Sequence, residues 1–442
     1  MATLWNNLKK PARRLPKVVL AICLLGLCLN CPAVHAESDW PFDSGGHLRL
    51  RGAVSDPAAG SRLDILDRDR LHDAAFEFRS KHTGRFKQAW QLDIHYEMIG
   101  AAGETRQANT AVFNQYPTAE TFLSNAGTTD DRRLMDLSHV ITAHSDYQIY
   151  HRLDRLSITA RRDWGSVRIG RQALTWGNGF LFNPMDLFNP FPPTDVERDY
   201  KIGDDMAVIQ AYTGAGGEMQ VICVPRRDPA TGDIERKKSS AAAKYHTYLG
   251  SLEMDVMAGA HYDDIVAGIG WIGYLGSAAW RLDATYTWLN DESNESGFAS
   301  VTANLDYSWV WWGKNMYGWI EFFYTGLGIS DYENAWRDPD LMDRIERGER
   351  FSLGRTYLDA QLQVEFHPLL NCHVTLITNL RDPSGAIQPR LVWDPAQNLQ
   401  ITVGANFYYG GANTEFGGFK IPGIPFDEAP ADNAYLWISF FY

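Results

Sequence analysis

Apolar and polar residues alternate with a period of two along many segments of this chain. In the segment 398–407, every second residue is apolar: Leu399, Ile401, Val403, Ala405 and Phe407. The segments 90–98, 278–288 and 358–366 show the same alternation. Because successive side chains of a β-strand point to opposite faces, each segment predicts a strand with one apolar face. The runs are longer than the usual strand of a soluble protein, about five or six residues, and long enough to cross a bilayer.

The C-terminal segment 434–442 alternates in the same way and ends on an aromatic residue, Tyr442. One face of the segment is apolar: Ala434, Leu436, Ile438 and Phe440. Such a last strand is typical of the closing strand of a bacterial outer-membrane β-barrel, in which one face meets lipid and the other meets the lumen. A soluble sandwich can also end on an aromatic edge strand, so the N-terminus is needed to support this interpretation.

The alternating segments number eighteen, which predicts an all-β fold. The predicted strands are 46–54, 71–81, 87–99, 147–162, 165–173, 204–213, 217–225, 239–248, 251–261, 264–273, 277–289, 298–312, 317–328, 351–366, 369–381, 387–394, 398–410 and 434–442. Their connections alternate between short turns and mostly long loops. This asymmetry predicts a transmembrane antiparallel β-barrel with short periplasmic turns and long outer loops.

The N-terminal segment 1–36 has the composition of a secretory signal peptide. It contains five basic residues, no acidic residue, an apolar run at 18–29 and small residues before a cleavage position after Ala36. The apolar run is shorter than the roughly 20 residues of a membrane-spanning helix. We therefore predict that the mature chain, 37–442, is exported and forms a single barrel domain in the outer membrane of a Gram-negative bacterium.

The charge of the chain argues against one class of partner. With 41 basic and 54 acidic residues the net charge is −13, and loss of the predicted signal peptide lowers it to −18. A chain this acidic is not expected to bind nucleic acid. Aromatic residues make up 13% of the chain, which suits the aromatic girdles of a membrane barrel.

The segment 174–203 combines many apolar side chains with a backbone that cannot be regular. Two Asn-Pro pairs, Asn183-Pro184 and Asn189-Pro190, remove backbone donors and restrict the residues before them. A rigid apolar loop should pack against protein, and the barrel interior is the nearest surface, so we expect an inward-folded constriction loop. Its charged residues would be Asp186, Asp195, Glu197, Arg198 and Asp199. The alternative is a loop that only plugs or caps the barrel mouth.

The chain resembles the porin-like outer-membrane β-barrel superfamily. The resemblance rests on the signal peptide, the amphipathic strands, the long outer loops and the terminal aromatic residue, and it covers the mature chain. One block is similar to a segment of several porin-like families of poorly defined substrate: Gly170-Arg171-Gln172, Trp176-Gly177, Asn183-Pro184, Asp186 and Asn189-Pro190. Because many porins narrow their lumen with an inward-folded third loop, the resemblance implies that role for 174–203 but identifies no solute.

The alternation also predicts which charged side chains face the lumen. Basic residues concentrate on the early strands: Arg49, Arg51, Arg79, Lys81, Arg161 and Arg168. Acidic residues are prominent on the twelfth to fourteenth strands: Asp306, Glu321, Asp359 and Glu365. Opposed basic and acidic walls would place a transverse field across a pore. The alternative is that these charges pair with one another and fill the lumen.

The candidate pore-lining and constriction residues combine both sets. They are Arg49, Arg51, Arg79, Arg161, Arg168, Asp186, Asp195, Glu197, Arg198, Asp359 and Glu365. Catalytic motifs such as GxSxG and HExxH do not occur in the sequence. His139, His144 and His151 are spaced for no compact metal site. We therefore expect no enzymatic activity, no cofactor and no metal.

The favoured function is an outer-membrane channel for passive diffusion of small hydrophilic or charged solutes. Its expected partners are outer-membrane lipid and lipopolysaccharide, small solutes, and the barrel-assembly machinery through the C-terminal strand, with a homo-oligomer left open. One alternative is a barrel component or sleeve of an export or electron-transfer complex. The other is an outer-membrane enzyme, which the Ser, His and Asp residues of the chain leave open.

Overall fold

The structure, a computed structural model, describes residues 42–87, 89–116, 129–192, 200–290, 293, 295–421 and 423–442. The predicted signal peptide lies outside the described residues and stays a prediction. Residues Phe42–Phe441 form one compact unit. Among the described residues, no helix is both long and apolar enough to cross a membrane.

Eighteen long antiparallel strands form one closed sheet, in which the first strand pairs with the last. The strands are β1 Phe42–Asp56, β2 Leu71–Phe86, β3 Trp90–Gly103, β4 Tyr147–Arg162, β5 Gly165–Gln172, β6 Asp204–Tyr212, β7 Glu218–Val224, β8 Ser240–Leu249, β9 Leu252–His261, β10 Asp264–Leu275, β11 Ala278–Trp288, β12 Gly297–Trp311, β13 Lys314–Thr325, β14 Thr356–His367, β15 Leu370–Asn379, β16 Ser384–Ala396, β17 Leu399–Tyr409 and β18 Asp432–Phe441. The predicted fold class and strand number are confirmed.

Each predicted strand overlaps an observed one, and the bounds differ by no more than five residues. One difference concerns a charged residue. The strand predicted for 369–381 ends at Asn379, so Arg381 lies in a turn and not in the strand. Pro383 in the same turn has no backbone N–H to continue a ladder, which explains the earlier end.

The two ends of the barrel differ. Short turns join the strands at one end, the turn end, and most connections at the other end, the loop end, are long. The turn between β12 and β13 is made by Trp312 and Gly313, with φ of 49° and 67°. Positive φ at both central residues defines a type I′ turn, whose twist matches that of the flanking strands.

The outer face of the sheet is apolar. Val403 in β17 is 49% exposed, and aliphatic side chains at the same outward positions surround the barrel. Exposed aromatic residues ring the turn end: Phe86, Trp90, Trp164, Tyr212, Tyr248, Tyr274, Trp311, Trp312, Phe366, Trp393 and Phe441. An apolar band bordered by aromatic side chains is the outer surface that a membrane-spanning barrel presents to lipid.

Within the described residues, two α-helices lie in the long connections: α1, Glu104–Gln115, and α2, Pro339–Glu346. Asp73 of β2 accepts hydrogen bonds from the backbone N–H and the hydroxyl of Thr105, in the first turn of α1. Asp338 caps α2 by accepting from Leu341 N at 3.1 Å, with Pro339 at the first helical position. A carboxylate or a proline at these positions satisfies or replaces donors that a helix start leaves unpaired.

Shorter elements complete the loops. A strand, Ser138–Ala143, pairs with the loop-end half of β4, and Phe419–Lys420 pairs with Asp427–Glu428. Short 3₁₀ helices cover Arg62–Leu66, Gly214–Gly216, Arg236–Lys238 and Tyr332–Arg337. The connections before β14 and β18 meet where the rings of Tyr332 and Phe419 lie 5.5 Å apart. These two connections at the loop end therefore pack on one another.

Candidate functional site

The connection between β5 and β6, residues 173–203, is the inner loop. Its backbone is bound by a carboxylate on the inward face of β13. Glu321, fully buried, accepts hydrogen bonds from the backbone N–H groups of Phe180, Leu181 and Phe182 at 2.5, 2.9 and 2.9 Å. Each bond to a charged acceptor contributes about 1.5–3 kcal/mol, so this contact anchors the irregular backbone firmly.

A second carboxylate repeats this arrangement two strands away. Asp283 of β11 accepts from Asn178 through its backbone N–H at 2.5 Å and its side-chain amide at 2.9 Å. On β12, Thr302 donates to Phe182 O at 2.8 Å and Asn304 donates to Asn178 O at 3.0 Å. The polar inward side chains of β11–β13 thus satisfy the backbone groups of the loop, which a Pro-rich segment cannot pair internally.

Aromatic stacking supports the same contact. Phe182 stacks on Phe323 of β13 with ring centroids 4.5 Å apart, and on Tyr357 of β14 at 4.8 Å. Phe180 stacks on Trp319 at 5.0 Å. Such pairs add about 0.5–1.5 kcal/mol each beyond the area they bury.

A patch of apolar side chains lies on the inward faces of β6–β10. The patch consists of Met206, Val208, Ile222, Val224, Ala242, Met257 and Val266. Trp176, Met185 and Phe188 of the inner loop pack against it and are almost fully buried. Complete burial of a large apolar side chain contributes about 1.5–3 kcal/mol, so the loop covers a surface that would be unfavourable in a water-filled lumen.

Lys201, near the end of the inner loop, forms a buried ion pair with Asp186 in the middle of the loop and binds Leu174 at its start. Lys201 Nζ donates to both carboxylate oxygens of Asp186, at 2.6 and 2.7 Å, and to Leu174 O at 2.5 Å. Burial raises the pKa of Asp186 to about 6, although the ammonium of Lys201 opposes this shift. Burial also lowers the pKa of Lys201. Lys201 therefore holds the end of the loop against its middle and its start, at the cost of removing two charged groups from water.

Tyr200, near the end of the loop, contacts the other side of the barrel. Its hydroxyl donates to Glu77 of β2, and the guanidinium of Arg79 lies 3.4 Å from the centre of its ring. The inner loop is therefore bound both to β13, through Glu321, and to β2. Asp195, Glu197 and Arg198, three of the predicted constriction residues, lie outside the described residues.

Of the predicted basic residues of β1 and β2, Arg49 and Arg79 are buried and Arg51 is half-buried, whereas Lys81 is exposed. Arg49 donates to Ser439 at 3.0 Å, Arg51 pairs with Glu77, and Arg79 pairs with Glu97 and, at 2.6 Å, with Asp154. Arg152 of β4 also binds Glu97, at 2.6 Å. These side chains form a continuous network of opposite charges on one wall. Opposite charges held this closely favour mutual pairing over attraction of a solute.

A β-bulge in β4 builds part of this network. The pairing of β3 with β4 shifts between His95 and Tyr96, and leaves Asp154 as the additional residue. Asp154 and its neighbour Arg155 consequently form an ion pair at 2.5 Å, and Asp154 also binds Arg79. Strict alternation cannot place two successive residues on one face. The sequence pattern therefore predicted neither Asp154 nor Arg152 to face the lumen.

The remaining predicted residues lie apart from this network. Arg168 is half-buried and donates to Thr159 at 3.0 Å, while Arg161 is exposed near the turn end of β4. Asp359 of β14 is fully buried directly opposite Glu321, and Glu365 is half-buried near the turn end of the same strand. Asp186 belongs to the inner loop. The role of these residues in permeation stays a prediction.

One Ser–His–acid arrangement occurs among the described residues. Ser240 Oγ lies 3.0 Å from His261 Nδ1, and His261 Nε2 lies 3.1 Å from Glu349 Oε1. The serine oxygen also accepts from Arg226 at 2.7 Å and is almost fully buried. A nucleophile needs an open approach to its oxygen, which these neighbours occupy. The arrangement joins β8, β9 and the connection before β14, and it favours a structural role.

The three histidines considered as metal ligands do not converge. The rings of His139 and His151 lie 5.7 Å apart, edge to face, and His144 packs on Tyr147. Within the part of the chain that the structure describes, no group of three or more His, Cys, Asp or Glu side chains is placed to hold a metal ion.

The barrel is similar to solved structures of outer-membrane porins. OccK5 (OpdH) of Pseudomonas aeruginosa matches over 90% of this chain and 98% of its own, with 11% identity and a TM-score of 0.51. OccAB3 of Acinetobacter baumannii matches over 90% and 99%, with 9% identity and a TM-score of 0.50. A BenF-like porin from Pseudomonas fluorescens Pf-5 matches over 91% and 98%, with 10% identity and a TM-score of 0.50.

At these identities the likeness concerns the fold alone. At that level it confirms the resemblance to the porin-like outer-membrane β-barrel superfamily. No family model matches the chain, and no curated protein matches it.

Proposed function

We propose that this chain forms an outer-membrane channel for passive diffusion of small hydrophilic or charged solutes. The observation that carries the proposal is a closed barrel that is apolar outside and, apart from the patch under the inner loop, largely polar inside. A closed sheet leaves no unpaired edge in the hydrocarbon region, so the strands can span a membrane. The inward polar residues then border a lumen.

Outer-membrane lipid and lipopolysaccharide are the surroundings that this proposal requires. The exposed aliphatic side chains on the outer face would meet the acyl chains, and the aromatic ring at the turn end would meet the headgroup region. The solved structures with the same fold support this location. A homo-oligomer is compatible with such a surface, and the proposal does not depend on it.

The inner loop is proposed to be the constriction. Its contacts with Glu321 on β13 and with Glu77 on β2 support a chain that crosses the lumen. Solute size would then be limited by the space between this loop and the strands that it does not cover. The half-buried side chains nearer the turn end, such as Arg168 and Glu365, would set the preference for charge.

The test is the conductance of the mature protein 37–442, refolded in detergent and inserted into a planar bilayer. We expect stable current steps, with a reversal potential in a salt gradient that reports the ion preference. Replacing residues 180–193 by a short Gly-Ser bridge should raise the conductance, because it removes the segment bound to Glu321. As a control, shortening the exposed hairpin at 229–232 should leave the conductance unchanged.

Two outcomes would contradict the proposal. A folded barrel that never conducts would favour the alternative of a sleeve that needs a partner, which agrees with the close packing of the loops at the loop end. Unchanged conductance after replacement of 180–193 would place the inner loop outside the permeation path.

A further inference from the structure

A cavity of about 140 Å³ lies near the loop end, between the inner loop and the inward faces of β11–β13. The connection before β14 closes its outer side through Arg350, Phe351 and Ser352. For comparison, a cavity of about 150 Å³ in another protein accommodates one benzene molecule. The cavity therefore has room for a single six-membered ring with a small substituent.

One part of the lining is aromatic. The phenyl rings that border the cavity are Phe182, Phe191, Phe298, Phe323 and Phe351. Phe182 and Phe323 stack on each other, whereas Phe191 and Phe351 are 37% and 44% exposed. Phenyl groups left this exposed beside a ring-sized space provide faces and edges on which another aromatic ring can pack.

Another part of the lining offers hydroxyl groups. Thr285 and Thr287 lie two residues apart on β11, so both side chains point into the lumen, and each is only 7% exposed. No described residue makes a hydrogen bond to either hydroxyl. Each can donate one hydrogen bond and accept others. Both hydroxyls therefore remain available to bind water or a ligand in the cavity.

The charged groups around the cavity already have protein partners. Asp186 binds Lys201, Arg344 binds Asp264, Glu349 binds His261, and Arg350 donates to Ser352 O, Thr325 Oγ1 and Gly354 O. The guanidinium groups of Arg344 and Arg350 therefore do not offer a free pair of N–H donors for bidentate binding of an anion. The carboxylates of Asp186 and Glu349 would in addition repel an anion. These contacts favour a neutral ligand over a charged one.

We propose that this cavity binds a neutral single-ring aromatic solute that carries a hydroxyl group, that is, a phenol. The ring packs among the phenylalanine side chains, and the hydroxyl hydrogen-bonds to Thr285 and Thr287. The inference rests on the proposed function for the path of the solute, which reaches the cavity through the lumen. Binding itself does not require that the barrel conducts.

Isothermal titration calorimetry of the refolded mature protein with phenol tests the site, with empty detergent micelles as the blank. We expect saturable binding of one phenol per chain. Benzoate, which adds a charge, and cyclohexanol, which lacks the aromatic ring, should each bind roughly tenfold or more weakly. Replacing both hydroxyls in Thr285→Val/Thr287→Val should weaken phenol binding roughly tenfold.

Thr402→Val is the matched control, because Thr402 is a buried inward threonine on β17 that does not border the cavity. It should bind phenol like the unmodified protein. Absence of saturable phenol binding by folded protein would overturn the proposal. So would equal binding of benzoate or of cyclohexanol, or unchanged phenol affinity in the double variant. Conductance measured without any aromatic solute separates failure of this site from failure of the channel function.

Discussion

Val403 lies on the outer face of β17, where its side chain is 49% exposed. If this face meets lipid, Val403→Arg should destabilise the folded barrel by about 2–4 kcal/mol near the bilayer midplane, because an uncompensated charge is placed in hydrocarbon. Urea titration of folding into lipid vesicles measures this difference. Val403→Leu, which keeps the site apolar, should be close to neutral. Equal stability of the arginine variant and the unmodified protein would show that the face assignment is wrong.

Asp186 should make stability depend on pH in a particular direction. Its pKa is raised by burial from 3.8 to about 6 in the folded chain, so the folded protein binds more protons than the unfolded one between these values. The stabilisation of the folded state by protonation of Asp186 is therefore fully present below pH 3.8. It is lost as the pH rises through about 6. It amounts to at most about 3 kcal/mol, at about 1.4 kcal/mol per pKa unit.

Thermal unfolding in detergent between pH 4 and pH 7 would test this dependence. Relative to Asp186→Asn/Lys201→Met, which removes both charges, the unmodified protein should lose stability as the pH rises over that range. Parallel pH profiles of the two proteins would exclude Asp186 as the titrating group. The double variant is suitable because replacing both partners of a buried ion pair by uncharged groups is often nearly neutral.

At the scale of elements, the inner loop should depend on Glu321. Glu321→Gln removes the charge and leaves one acceptor oxygen for three backbone donors, so the segment 180–182 should detach more readily. We expect faster proteolysis within residues 183–192 and a lower unfolding temperature. Glu365→Gln is the control, since Glu365 lies on the neighbouring strand β14 without a hydrogen bond to the inner loop. Identical proteolysis of the two variants would contradict the anchoring role.

The elements themselves were predictable from the sequence to a large extent. A strand between lipid and a polar interior must alternate, so segments such as 398–407 revealed their position and their faces. The bulge at Asp154 was not predictable, because two strands together determine where an additional residue is accommodated. Glu321 was correctly expected to point inward, but its partners lie about 140 residues earlier in the chain, and no local pattern connects them.

A signal for the covered wall was nevertheless present. In β6, Met206, Ala207, Val208 and Ile209 form a continuous apolar run, so both faces of that strand are apolar. Such a strand is unsuited to a water-filled lumen, and it indicates that protein covers its inner side. The apolar inner loop directly precedes β6 and supplies that cover. The charge network on β1–β4 gave no comparable signal, since paired and unpaired arginines have the same sequence pattern.

For the whole molecule, the decisive feature is closure of the sheet between β1 and β18. Leu50 pairs directly with Ile438 at this seam, and both side chains point outward. Directly opposed residues have Cβ atoms about 4.5–5.5 Å apart, close enough for a disulfide after small adjustment. In a background with Cys223→Ser and Cys372→Ser, Leu50→Cys/Ile438→Cys should therefore crosslink readily under mild oxidation, as measured by gel mobility without reductant.

The control for this register is Leu50→Cys/Ser439→Cys. Ser439 is adjacent in sequence to Ile438 but is buried on the inward face opposite Arg49, so its sulfur would point away from that of residue 50. A slip of one residue would reverse the faces and move the crosslink to the control pair. Crosslinking of the control in preference to the test pair would exclude the register found here, and crosslinking of neither would exclude a closed seam.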